Sequence, residues 1–427
     1  MSTLKTMGSS EKILLNFSNM RPDENSLLII QELWQLFSSR VLELAVDLSN
    51  PNLTDEGLLT YCSSPFWTGF QFRAGEKILS LNLDLSGCLS LASSLNKFPD
   101  YLSKMPNLKK LVINLSRTKA DNIMIDALMS KEIISNNSLE FLSLDISFSC
   151  VNEEGLNTLM KNLRPLTNHL KALEIDARQV GSEVQKMASY SLKELSKMKP
   201  MEVFIFLLGG YKKLETIKEQ LFPNPQTNFA NLIQMTIDLS ETKGVNEFLQ
   251  NSYLHFVSNS GNNLKILHLE MAKSDVAFTF LDKFFCEPVF VQGLVDLNIN
   301  IEGTCIGNEF TNILKSLLPN IQKLEQLTLK MVESKIDSII QGRLYRKLTK
   351  LSKSHLLFLK KIDVKCDDFK KKKVESQKPN EAIQNNQQHL LDKINSRKSK
   401  KKGNQKVPKS ERSQNLKIKF QGGKFDT

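Results

Sequence analysis

The sequence predicts an α/β repeat protein in which short parallel strands alternate with amphipathic helices. The first observation is the period-two pattern of residues 142–146, where Leu142, Leu144 and Ile146 alternate with polar residues. The second is that the segments between such stretches follow the helical period of about three and a half residues. The third is that the whole pattern returns about every 31 residues. Because one strand buries little by itself, neighbouring units must complete its core.

Apolar quartets at relative positions one, four, six and eight mark the repeat. They recur from Leu108 to Leu232 at a constant step of 31 residues, and three more copies follow at steps of 32, 30 and 30. The end units of an array also shield its open core, so irregular copies are expected there. The pattern predicts about 11 to 12 units. Looser or partial copies begin at Val41, Ile78, Leu359 and Ile13.

Amphipathic helices are predicted between the quartets, over residues 153–166, 245–257 and 307–321. Each helix would supply the apolar cover that its strand lacks, so strand and helix alternate once per unit. The apolar face of the first predicted helix comprises Leu156, Leu159, Leu163 and Leu166.

Two stretches resemble the leucine-rich repeat of the ribonuclease-inhibitor-like class, whose consensus runs LxLxxN/CxLxxxGxxxL. They are VDLSNPNLTDEGL (46–58) and LDISFSCVNEEGL (144–156). The resemblance covers roughly residues 41–366 and implies a curved solenoid with a concave parallel sheet and convex helices. Residues 1–40 are then an N-terminal cap or partial first repeat. The matching residues are Val46, Leu48, Leu53, Gly57, Leu144, Ile146, Val151 and Gly155.

One departure from the consensus is systematic. At the family's Asn/Cys site, whose side chain bonds the turn backbone, most units carry a hydroxyl residue, and most units lack the consensus glycine. A hydroxyl satisfies a turn amide less completely than an amide side chain does, so we expect a less uniformly curved array. The residues at this site are Pro51, Cys88, Thr118, Ser149, Thr242, Ser274 and Thr304.

The position between the third and fourth apolar residues of each quartet should form a column on the concave face. Carboxylates occupy six of its eleven sites. Two interpretations remain open: these are polar residues tolerated at strand ends, or they form an acidic stripe that binds a basic peptide or protein surface. The column reads Asp47, Asp84, Asn114, Asp145, Asp176, Leu207, Asp238, Glu270, Asn300, Lys330 and Lys365.

The strand of residues 203–207 interrupts the stripe with an apolar open side formed by Val203, Ile205 and Leu207. An apolar centre surrounded by charges is the layout of an anchor site, although a loop of the same chain could also cover it. The predicted partner-binding residues are Asp47, Asp84, Asp145, Asp176, Ile205, Leu207, Asp238 and Glu270.

The net charge of +11 belongs to the C-terminal tail. Residues 367–427 hold 17 Lys/Arg and 7 Asp/Glu, which leaves 40 against 39 for residues 1–366. The tail is poor in apolar residues and is predicted to be disordered. Its basic cluster could act in nuclear import, contact phosphate backbones, contact an acidic protein, fold over the acidic stripe, or simply be solvated. The cluster comprises Arg397, Lys398, Lys400, Lys401 and Lys402.

The sequence contains no phosphate-binding loop, dinucleotide motif, nucleophile elbow or kinase motif, and its five histidines and six cysteines are scattered. We therefore expect a noncatalytic protein-interaction scaffold without cofactor or metal, monomeric and located in the cytoplasm or nucleus. No export signal or membrane span is predicted. Two alternatives remain. The resemblance admits a GTPase activator of the Ran-activator type, although that family usually has an acidic tail, and the Lys-rich tail admits a nucleic-acid adaptor.

Overall fold

The computed structural model describes the repeat strands, the turns that follow most of them and five of the connecting helices. The described residues are 12–16, 18, 41–49, 77–88, 102, 105–129, 138–163, 166, 169–180, 201–210, 231–245, 263–286, 292–354, 359–365 and 417–420.

Thirteen strands form one open sheet in which spatial order equals chain order. Every neighbouring pair is parallel and pairs residue for residue, so equivalent positions of successive units lie side by side. The strands are β1 Lys12–Asn16, β2 Glu43–Asp47, β3 Ser80–Asp84, β4 Lys110–Asn114, β5 Phe141–Asp145, β6 Ala172–Asp176, β7 Val203–Leu207, β8 Gln234–Asp238, β9 Ile266–Glu270, β10 Asp296–Asn300, β11 Gln326–Lys330, β12 Lys361–Lys365 and β13 Lys417–Phe420.

The core lies against one face of this sheet. The second and fourth residues of β1 to β12 are buried, and every described member of the predicted quartets is at most 7% exposed. The predicted strand positions are confirmed, and the partial copy at Ile13 forms the first strand, paired with β2. Strand β13 was not predicted. It lies within the expected tail and pairs with β12, while the other tail residues lie outside the described part of the chain.

Five helices are described on the core side, and those that belong to adjacent units pack against each other. The predicted helices over 153–166 and 307–321 are confirmed with shorter bounds, and most of 245–257 lies outside the described residues. The helices are α1 Asn122–Leu128, α2 Glu153–Asn162, α3 Phe278–Cys286, α4 Phe310–Leu317, which continues into a 3₁₀ turn at Leu318–Asn320, and α5 Ser338–Ser354.

Side-chain oxygens start the first two of these helices. Asp121 accepts a hydrogen bond from the N–H of Met124, and Asn152 accepts from the N–H groups of Glu154 and Gly155. These bonds satisfy amides that have no partner inside the helix. Since each helix begins shortly after a strand turn, the caps set where the chain turns back toward the next strand.

Buried hydroxyls stabilise the turns between strand and helix. The hydroxyls of Thr118, Ser274 and Thr304 donate to the carbonyl three residues earlier over 2.6, 2.7 and 2.8 Å. The Thr118 hydroxyl also accepts from the N–H of Ala120 at 3.2 Å. The hydroxyl residues at the consensus Asn/Cys site therefore bond the turn backbone, as predicted, through a single oxygen.

We predict that Phe204→Ala lowers the free energy of unfolding by about 3–5 kcal/mol, because it empties a fully buried site. Phe204 is 1% exposed, and its ring centroid lies 5.8 Å from that of Phe206. Urea denaturation followed by circular dichroism measures the change. The control Ile123→Ala, at a 71% exposed helix site, should stay within about 0.5 kcal/mol of wild type. Equal effects of the two substitutions would contradict the assigned core.

Candidate functional site

The face of the sheet opposite the core, called the open face below, is formed by the first, third and fifth residues of β1 to β12. All eight residues predicted to bind a partner lie on it. Ile205 is the third residue of its strand, and the other seven are fifth residues. The parallel register places Asp47 beside Asp84, and Asp145 beside Asp176. Seven of the predicted residues therefore lie in one column, with Asn114 between Asp84 and Asp145, and Ile205 lies beside this column.

Most Asp and Asn residues of this column cap the turn that follows their own strand. In each case Oδ1 accepts the backbone N–H two residues later, as in Asp47 with Ser49 at 3.0 Å and Asp145 with Ser147 at 2.9 Å. This arrangement is an Asx turn. The same bond is made by Asn16 at 3.1 Å, Asp84 at 2.9 Å, Asn114 at 3.0 Å, Asp176 at 3.1 Å, Asp238 at 2.9 Å and Asn300 at 3.1 Å.

The cap gives the column a structural role that we had not predicted. A signal was present in the sequence, because five strands end in Asp or Asn, then Leu or Ile, then Ser. Both Asp and Asn supply the required acceptor oxygen, which explains why both residue types occur in this column. Capping uses one carboxylate oxygen. The second oxygen accepts from Asn16 Nδ2 in Asp47 and from Arg178 in Asp176, so the caps at Asp84 and Asp145 are the ones most compatible with partner binding. The acidic stripe is thus partly explained by local backbone chemistry.

Arg178 bridges the apolar break in the stripe. Its Nε donates to both carboxylate oxygens of Asp176 at 3.0 and 3.1 Å, and its Nη1 lies 3.8 Å from Oδ2 of Asp238. In the register, Leu207 of β7 lies between those two aspartates. The bond to Asp176 raises the pKa of Arg178 further, so the guanidinium stays charged. Two of the central carboxylates therefore share one cation from the same chain.

Asp145 lies next to this bridged pair. Burial raises the pKa of the Asp145 carboxyl above its ordinary value, and the neighbouring Asp176 charge raises it further. The bonds from Ser147 act in the opposite direction. The ionised Asp145 side chain is therefore held at a free-energy cost at neutral pH.

Glu270 lies in a polar network over β9 to β11. Its carboxylate accepts from Asn298 Nδ2 at 2.9 Å and from Asn300 Nδ2 at 2.6 Å, and Lys330 Nζ lies 3.5 Å away. Asn298 was not among the predicted site residues. Because these partners satisfy Glu270, it contributes less negative potential to the open face than its charge suggests.

Five side chains on β5 to β7 form an apolar patch on the open face. The first residues of these strands are neighbours in the register, and the patch extends down β7 through Ile205 and Leu207. The three β7 side chains are each partly exposed, which confirms the predicted apolar open side. Lys110 Nζ lies 4.6 Å from the centroid of the Phe141 ring. The patch consists of Phe141, Ala172, Val203, Ile205 and Leu207.

The basic tail cluster, Arg397, Lys398, Lys400, Lys401 and Lys402, lies outside the described residues. Within the described part of the chain, no three His, Cys, Asp or Glu side chains are grouped to hold a metal ion. No helix in that same part combines the length and apolar character needed to cross a bilayer.

Compared with known proteins, the chain matches no protein-family model and none of the curated proteins. The fold is shown by the structure itself: the strand order and register are those of a parallel repeat fold of solenoid type.

We predict that Asp145→Asn stabilises the fold at pH 7, because Asn keeps the Oδ1 acceptor and removes a half-buried charge. A carboxyl whose pKa is raised on folding contributes stability below its ordinary pKa and loses it as pH rises through the folded pKa. The advantage of Asn should therefore shrink as pH falls toward 3.8. Chemical denaturation of both proteins at several pH values measures it.

Asp145→Ala is the matched control, because it removes both the charge and the cap. It should be less stable than Asp145→Asn by about 0.5–1.5 kcal/mol, the usual net contribution of one hydrogen bond. If the Ala and Asn variants were equally stable, Oδ1 would not be a turn cap.

Proposed function

We propose that the chain is a divergent leucine-rich-repeat solenoid of the ribonuclease-inhibitor-like class. On this proposal it is a noncatalytic scaffold that binds a partner protein through the open face, which would be concave. The observation that carries the proposal is the apolar patch on β5 to β7. All three open-face residues of β7 are apolar and partly exposed, whereas those of β3, β8, β10, β11 and β12 are all polar.

The surroundings of the patch indicate what the partner would present. Carboxylates of Asp145, Glu174, Asp176 and Asp238 flank the patch, and Arg178 offsets part of their charge. An apolar side chain seated on Ile205 and Leu207, with Lys or Arg beside it, would complement both features. The proposed partner surface is therefore apolar at its centre and basic at its margin.

Several polar side chains of β8 to β10 on the open face contact one another or their own turns. His268 Nε2 lies 3.4 Å from Asp296, and Thr236 neighbours His268 in the register. The column residues nearby are engaged as turn caps or in the Glu270 network.

We predict that the double substitution Ile205→Thr/Leu207→Asn weakens partner binding without unfolding the chain. The chain uses Thr at the position equivalent to Ile205 in β8 and β11, and Asn at the position equivalent to Leu207 in β4 and β10. The side chain introduced by Leu207→Asn would also gain the turn cap to the N–H of Gly209. Losing two apolar contacts should cost about 1–3 kcal/mol of binding free energy, or roughly 5-fold to 150-fold in Kd.

The measurement is affinity capture with the full-length chain, followed by a titration of each purified captured protein. The matched control is Leu14→Thr, which removes an exposed apolar side chain from the same position of β1, where Asn16 already occupies the fifth position. A captured protein that binds the patch variant as tightly as it binds wild type would contradict the proposal. So would equal weakening by the β1 control.

A further inference from the structure

In the described turns that follow β3 to β11, the third residue lies in the left-handed backbone region. We call these residues the turn row; their φ angles lie between 51° and 89°. Successive members are linked through the backbone, since the N–H of Arg117 donates to the Ser147 carbonyl and that of Phe148 to the Arg178 carbonyl. The row therefore runs along one edge of the sheet. It comprises Gly87, Arg117, Phe148, Gln179, Gly210, Glu241, Lys273, Gly303 and Glu333.

Glycine is the residue that this backbone conformation favours. Three members of the row are glycines, whereas any residue with a Cβ pays a steric cost there. The charged and amide side chains of the row are long and hydrophilic and can extend into water, and Lys273 pairs with Glu241 at 3.3 Å. Phe148 is neither a glycine nor hydrophilic. A bulky aromatic residue at positive φ is an outlier in proteins.

Phe148 also contributes little to the core. Its side chain is 45% exposed, while the described residues on both sides of it in the chain, Ser147 and Ser149, are buried. Leu14, Ile123 and Ile339 are exposed as well, but they lie in strand or helix with ordinary backbone angles. Phe148 is the exposed apolar residue that combines a strained backbone with an aromatic ring. Replacing it with glycine would remove a side chain that is 45% exposed and would relieve the steric cost of positive φ.

Arg117 stacks beside this ring. Its guanidinium carbon lies 5.6 Å from the Phe148 ring centroid, and Arg117 and Lys119 are exposed. A guanidinium stacked on a ring keeps in-plane N–H groups that can bind a carboxylate. Within the described residues, no acidic side chain forms an ion pair with Arg117. An exposed ring and an exposed cation thus form one surface.

We propose that Arg117 and Phe148 form a second protein-docking surface, at the edge of the sheet and independent of the apolar patch. Its partner is a protein segment that presents an apolar side chain next to a carboxylate. The apolar group packs on the exposed part of the Phe148 ring, and the carboxylate binds Arg117. This chemistry is opposite in charge to that proposed for the open face, so the two surfaces select different segments.

Phe148→Gly separates docking from folding. Because glycine adopts positive φ without steric cost, the thermal midpoint of the full-length variant should be no lower than that of wild type. Phe148→Asn is a second variant, since Asn tolerates this region better than most residues. Glu333→Gly is the matched control: it makes the same backbone change at the same place in another turn.

The probe is a phage-displayed library of random 12-residue peptides selected on the full-length wild-type chain. Enriched peptides should share an apolar residue within two positions of Asp or Glu. They should bind Phe148→Gly and Arg117→Gly at least tenfold more weakly than wild type, and bind Glu333→Gly as wild type does. A single-stranded oligonucleotide of random sequence is titrated in parallel.

Four results would overturn the proposal. The first is a failure to enrich any peptide, and the second is enriched peptides that bind Phe148→Gly as tightly as they bind wild type. The third is an equal loss of peptide affinity on Glu333→Gly. The fourth is oligonucleotide binding that depends on Phe148 when peptide binding does not. Basic peptides that lose binding only on Ile205→Thr/Leu207→Asn would also overturn it. That last result would leave the open-face proposal standing, so the two proposals fail separately.

Discussion

The residue-for-residue parallel pairing of successive strands is the constraint on which the rest of the structure depends. Parallel neighbours need a crossover that leaves the sheet and returns, and the crossovers after β3 to β11 all begin with a turn whose third residue has positive φ. Because all units share one register, the turns are stacked. Each turn residue therefore lies beside the equivalent residue of the next unit. Columns and rows of side chains follow directly from that stacking.

The same turn explains two surface features that look unrelated. The last strand residue supplies an Oδ1 acceptor to the N–H two positions on, and the residue after that N–H adopts positive φ. The acidic column is therefore formed by the last strand residue before each turn, and the turn row is formed by the third residue of the turn. Local backbone chemistry decides that the column holds Asp or Asn, but it does not require Leu207 or Phe148. These two residues depart from what the turn favours, and both departures leave apolar surface exposed.

Much of the fold could be predicted from the sequence because the signal is periodic. A step near 31 residues and a period-two apolar pattern place β2 to β12 without any knowledge of contacts. Strand β13 could not be found this way, since its four residues follow a segment without the repeat. The column residues were found by position, but their capping bonds were missed. The Asp-Leu-Ser and Asn-Leu-Ser endings would have indicated these bonds.

Other parts of the candidate site depend on geometry that spacing does not encode. Arg178 lies two residues beyond a strand, and nothing in its sequence position shows that it reaches the aspartates on both sides of Leu207. The exposed stack of Arg117 on Phe148 joins residues 31 positions apart through turns of unusual φ. Such contacts follow from the stacking of units, so they appear only once the register is known.

The most direct test of the ordered parallel sheet is a pair of distances measured by pulsed electron paramagnetic resonance. Spin-labelled noncanonical amino acids would replace Lys12, Lys110 and Gln326, which are exposed first residues of β1, β4 and β11. With strands about 4.8 Å apart, Lys110 should lie about 14 Å from Lys12, three strands away, and about 34 Å or somewhat less from Gln326, seven strands away. A Lys110 to Gln326 distance no longer than the Lys110 to Lys12 distance would contradict the stacked array.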